Sequence, residues 1–224
     1  IDALKESDIA PGANLASAAE ETKALQLRTL KADLGGCDGF FSHSWRDDGV
    51  KKFAKLTEWS RQFEGQKYRL PNIWLDKACI DQTRIDESLA ALPIFLQGCV
   101  ELLVTTGPTY FSRLWCVMEL YTFLHMGGSA ERVRLIDIDD DKEGSKDERL
   151  RALARFDAGK AECFLPNDRE RLLGVIEAKP MVHDAAELGL CARVSKHAQR
   201  LLPDLIGGAQ ASGVRRLAKR LVRK

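Results

Sequence analysis

Glu119 stands in "GPTYFSRLWCVMELYTFL", residues 107–124, a turn that runs into an apolar helix. Val117, Met118, Leu120 and Tyr121 surround it in sequence. A surface helix would set such an acid among polar residues, and a core helix would leave it out. Trp115 precedes it by four residues, which places both side chains on one helical face. An aromatic wall beside a carboxylate near a cleft suits the floor of a sugar or base site. Low polarity there favours the protonated acid and raises its pKa. The competing reading is a carboxylate paired with Arg113 or a backbone amide, serving only the fold. Trp115 reads equally well as core. Trp74 reads as core outright, His43 as a strand-end hydrogen-bonding group or a base, and Asp76 and Asp81 as turn caps.

The elements that must position these residues alternate. Residues 13–34 read as an amphipathic helix that includes Leu30 and stops at Gly35-Gly36. "CDGFFSHSW" is a strand, and Phe53, Leu56, Trp59 and Phe63 recur at helical spacing after it. "NIWLD" (72–76) and "VELLVTT" (100–106) are the second and third strands. A helical pattern over 85–99 lies between them, with Pro93 expected to open a second short helix inside it. The helix bearing Glu119 is expected over 112–126, stopped by Gly127-Gly128. "RVRLIDI" (132–138) is strand four, 146–158 a polar helix and "ECFL" (162–165) strand five. Another helix, capped by Asn167 or Asp168, ends before Pro180.

This order predicts an α/β fold, a parallel sheet with helices on both faces. In such sheets ligands bind beyond the carboxyl ends of the strands, where the strand order reverses. For a flavodoxin-like order of 2-1-3-4-5 that point lies between strands one and three. The loops meeting there are "SWRDD" (44–48) and "TGPTYFSR" (106–113).

Composition narrows the class. Of 224 residues, 45% are hydrophobic and 30% charged, as in an ordinary globular chain. A net charge of +1 gives no field that favours nucleic acid. The six cysteines show no CxxC pair, and Cys99, Cys116 and Cys163 lie in apolar segments, as expected of reduced thiols in a cytoplasmic protein. No cysteine–histidine spacing fits zinc. "DIDDDKEGSKDE" from Asp137 mimics a calcium loop, but Lys142 occupies the position that needs glycine. "GGCDG" precedes its strand, whereas a dinucleotide fingerprint follows one. The final twelve residues, "GVRRLAKRLVRK", hold six basic side chains. They read as a solvated last helix or a linker, with contact to acidic lipid or a partner as the alternative. The first residue is Ile1, which is read as a fragment or processed chain.

"CDGFFSHSWRDDGVKKFAKL", "IWLDKACID" and above all "TGPTYFSRLWCVMEL" resemble, in that order, the Toll/interleukin-receptor (TIR) domain family, and its plant-type, NAD-cleaving branch in particular. The resemblance covers roughly residues 37–178, with 1–36 as an N-terminal helical extension and 179–224 as a C-terminal one. It implies a flavodoxin-like sheet of five parallel strands. It also implies either cleavage of the nicotinamide–ribose bond of NAD⁺, as substrate and with no further cofactor, or a signalling scaffold that acts by self-association. In the cleaving members the essential acid falls on Glu119, the tryptophan on Trp115 and a substrate-holding loop residue on Arg46. Two departures stand out. The serine usual two residues before the tryptophan is missing, with Ser112 three before it, and "KACIDQTRIDES" lacks the usual glycine.

Nicotinamide leaves as a neutral group, so its bond needs stabilisation of an oxocarbenium-like ribose more than acid help. One ionised Glu119 then suffices, supported by Arg46 or Arg113. Ser44 or Ser112 would orient the ribose, and Trp45 or Trp115 would pack on a ring. The reading requires Glu119 and the tip of strand one, Ser44–Arg46, to border a common hollow, whereas a scaffold would have that space filled.

Overall fold

The computed structural model describes residues 4–10, 15–80, 85–140, 143–144, 148, 151–152 and 161–162. Four strands, β1 (Cys37–His43), β2 (Ile73–Trp74), β3 (Cys99–Thr106) and β4 (Val133–Asp137), form one parallel sheet in the order β2-β1-β3-β4. The helices are α1 (Glu6–Ile9), α2 (Leu15–Gln26), α3 (Gly49–Lys67), α4 (Asp76–Cys79), α5 (Ile85–Gln97) and α6 (Leu114–His125). The α/β class and the parallel sheet are as the alternation predicts. Only Ala161 and Glu162 of the expected fifth strand are described, and Glu162 bridges Arg113 in parallel. The rest of that strand, most of the 146–158 helix, the helix before Pro180, Asp81, Cys163 and the basic tail lie outside the described residues.

Strand alternation divides the core. From β1, Phe40 joins Trp74, Leu102, Val104, Leu92, Leu96 and the buried side of α6. Phe41 points the other way, to Leu103, Leu56 and Trp59 of α3, and to Ile9 and Leu25. The sheet is therefore covered on both faces, which is why its strands read as apolar runs. The N-terminal segment belongs to this packing, since Ile9 and Leu25 are buried in the α3-side cluster. Arg28 adds two bonds to Asp8, at 3.0 and 2.9 Å.

Several element boundaries differ from expectation: β2 is shorter than 72–76, Asp76 opens α4, and α6 starts at Leu114 after a 3-10 turn over Tyr110–Ser112. The first long helix ends at Gln26, leaving Leu27, Leu30 and Leu34 outside it and exposed. Pro93 does not open a second helix but lies inside a continuous α5. An interior proline costs about 3 kcal/mol. Its neighbours Leu92 and Leu96 are buried in the sheet's core, and at roughly 1.5–3 kcal/mol per buried side chain they offset that cost.

At the carboxyl edge, the loops after β1 and β3 are fastened together. The Asp47 carboxylate accepts the backbone N–H of Thr109 at 3.0 Å and its hydroxyl at 2.9 Å. Gly107 makes the approach possible, because a Cβ there would lie 2.4 Å from the Asp47 carboxyl and 2.7 Å from Ile138 Cδ1. Gly107→Ala should therefore lower unfolding stability by about 1–3 kcal/mol, read from the denaturant midpoint. A change below about 0.5 kcal/mol, the scale of an ordinary surface substitution, would show that the two loops separate freely.

Candidate functional site

Glu119 lies on the inner face of α6 and is 2% exposed. Its partner from the sheet is Ser42, the residue two beyond Phe40 on the same face of β1. Ser42 Oγ lies 2.5 Å from Glu119 Oε2, and the Trp115 indole N–H donates to Oε1 at 2.7 Å. Ser42 also meets the Tyr110 hydroxyl at 2.7 Å, and Tyr110 in turn donates to the Cys116 carbonyl at 3.1 Å. Ser42 and Tyr110 are fully buried, whereas Trp115 is only partly so.

Burial raises the Glu119 carboxyl well above the ordinary carboxylate range, and the charge of Asp76 adds to the effect. The bonds from Ser42 and Trp115 pull the other way. Burial is the larger effect and favours the protonated acid.

Beyond the ends of β1 and β2 lies Trp45 with its contacts. Its indole N–H donates to Asp76 Oδ2 at 3.0 Å, and its ring meets His43 edge-on, with the centroids 4.4 Å apart. The ammonium groups of Lys52 and Lys77 each lie 5.7 Å from the Trp45 ring centroid. Lys52 is completely buried and donates to the Ser44 carbonyl at 2.8 Å. Burial pushes its pKa down to about 8 against the pull of Asp47 and Asp76. Asp76 keeps some exposed surface, yet its carboxyl is crowded enough for burial to raise its pKa. His43 is buried against Phe41 and Trp45, and burial next to Lys52 holds it neutral.

The structure therefore brings together some of the residues the sequence singles out and separates others. Glu119 and Trp115 are in direct contact. Ser44 is instead bonded to Thr109, with Oγ–Oγ1 at 2.7 Å, and Ser112 is exposed and bonded to the Thr109 carbonyl. Arg46 is exposed and pairs with Glu162. Arg113 does not pair with Glu119. It is buried, 3.9 Å from Glu162. The groups in contact with the Glu119 carboxyl are Ser42 and Trp115, with Tyr110 behind Ser42, and no bond joins it to Ser44, Trp45 or Arg46. A groove of about 700 Å³ opens at the opposite, amino end of the strands, between Leu25–Leu34, Asn72 and Gly98. Ser42 was the residue missed. A serine in a buried strand, directly after two phenylalanines and in phase with Phe40, was its signal. Among the described residues no histidine, cysteine and acid cluster could hold a metal, and Asp139 and Asp140 of the calcium-like run pair with Lys51 and Lys55.

Because burial raises the folded pKa above the ordinary value of 4.5, the wild type should lose stability as pH rises from there toward the folded pKa. Glu119→Gln has no such proton to lose. Its stability relative to wild type should therefore rise with pH, by up to about 1.4 kcal/mol per unit. Urea unfolding at pH 4 to 8 reads this difference, and a gap independent of pH would mean an ionised resting Glu119. Neither a family model, nor a curated protein, nor a solved structure matches this chain, so the family resemblance rests on the quoted motifs and the fold class on the sheet itself.

Proposed function

We propose that this chain is a TIR-like cytoplasmic signalling module with a latent NAD⁺-cleaving site, shut in its resting state. The observation that carries the reading is the paired hold on Glu119 by Trp115 and Ser42, at the meeting of α6 and β1. The motif resemblance places the essential acid and its tryptophan on these two α6 residues. The sheet order β2-β1-β3-β4 is compatible with the flavodoxin-like arrangement that goes with it. Trp115 is the partly exposed member of the network, so movement of its indole is the shortest way to uncover the acid.

Uncovering changes the chemistry as well as the access. Water or substrate reaching the carboxyl removes the burial that keeps it protonated, and the ionised form then stabilises positive charge on ribose. Nicotinamide departs with the electron pair of the broken C–N bond, and water or an internal nucleophile takes its place. The resting state does none of this, because the acid is neutral and covered. Self-association through TIR-type surfaces is the event that would shift Trp115.

The seal favours a second reading. A carboxyl bonded on both oxygens inside the core is what a non-enzymatic self-association module would contain, with Glu119 tying α6 to the sheet. Nicotinamide release from NAD⁺ separates the two. The latent enzyme should release it at a rate rising more steeply than protein concentration, and Glu119→Gln should cut that rate by roughly 10²-fold or more. No release at any concentration, or equal release by the variant, leaves the module alone standing.

A further inference from the structure

Arg113 is a buried cation whose guanidinium is incompletely bonded. Its side chain is 9% exposed, and its Nη1 meets no hydrogen-bond partner. Burying a guanidinium without full hydrogen bonding is costly, so its position needs a reason. Its ion-pair partner among the described residues is Glu162, whose Oε2 lies 3.9 Å from Arg113 Nη1, too far for a hydrogen bond. Arg46, from the loop after β1, pairs through its own Nη1 with the same oxygen. Two guanidinium groups, one from each side of the β1–β3 switch point, thus converge on one carboxylate oxygen.

The carboxylate is delivered there by its backbone. Glu162 N–H donates to the Ser112 carbonyl at 2.9 Å, and its carbonyl accepts from Leu114 N–H at 3.1 Å. Its side chain is itself 54% exposed. Arg113 is the N-cap of α6, a twelve-residue helix whose first turn adds partial positive charge at the same spot. One carboxylate oxygen serves two guanidinium groups poorly. A phosphate group offers several oxygens and more charge, and would satisfy both.

We propose that Arg46 and Arg113 form a seat for a phosphate-bearing ligand, and that Glu162 occupies it in the resting protein as an internal competitor. Arg46 and Glu162 are each about half exposed, so water screens their pairing and a ligand displaces it easily. The seat does not depend on cleavage of NAD⁺. It requires only a ligand carrying phosphate at the mouth beside α6, either the pyrophosphate of a nucleotide or a free inorganic anion.

Calorimetric titration of the full chain with ADP-ribose, and separately with inorganic pyrophosphate, tests this in wild type, Glu162→Gln and the double variant Arg46→Gln/Glu162→Gln. Removing the competitor should tighten binding about fivefold or more, removing Arg46 as well should cancel the gain, and added salt should weaken all arms. Preference for ADP-ribose identifies a nucleotide ligand, and equal affinity an inorganic one. Unchanged or weaker binding by Glu162→Gln, or a gain that survives loss of Arg46, overturns the proposal. Both substitutions alter exposed side chains, and matching thermal midpoints confirm an intact fold. A Glu119→Gln variant that turns over NAD⁺ normally would strike the catalytic reading and leave this seat untouched.

Discussion

The bond between Ser42 of β1 and Glu119 of α6 is the constraint around which the α6 side of the molecule is organised. It buries an acid in a face otherwise made of Phe40, Leu102, Val104, Leu114 and Leu120. Such burial is tolerable because both carboxyl oxygens have a partner and burial favours the protonated acid. The short bond also sets the register between helix and strand. The apolar contacts of α6 already interlock, and the polar link adds a directional requirement to them. With α6 so fixed, Arg113 at its start and Trp115 in its first turn acquire fixed places too.

Much of the fold was legible because it depends on patterns that survive tertiary packing. The apolar runs of β1 and β3 signal strands buried on both faces, and the α3 periodicity of Phe53, Leu56, Trp59 and Phe63 signals a helix against a sheet. The misses share a physical cause. Leu30 fits the helical period but falls beyond Gln26, because periodicity does not say where backbone bonding stops. Pro93 should break a helix on local grounds, yet burial of Leu92 and Leu96 overrides the local cost.

The site was legible in its residue types and less so in its pairings. Glu119 and Trp115 were found because an acid among apolar neighbours is rare and four-residue spacing is geometric. Ser44 was expected to face the acid because it lies in the loop, but β1 ends at His43 and the chain turns away. Ser42, still in the strand, keeps the inward direction. Glu162 could not be assigned to the site at all, since contact across more than a hundred residues of sequence leaves no local pattern.

The Asp47 bracket between the first and third loops has a dynamic consequence. With its carboxylate pinned to Thr109 and Gly107 pressed against it, the two strand ends behave as one rigid rim and resist spreading. Spreading the loops would break both Asp47–Thr109 bonds, whereas turning the Trp115 ring would break only its bond to Glu119. Side-chain rotation of that kind leaves the backbone of the sheet intact.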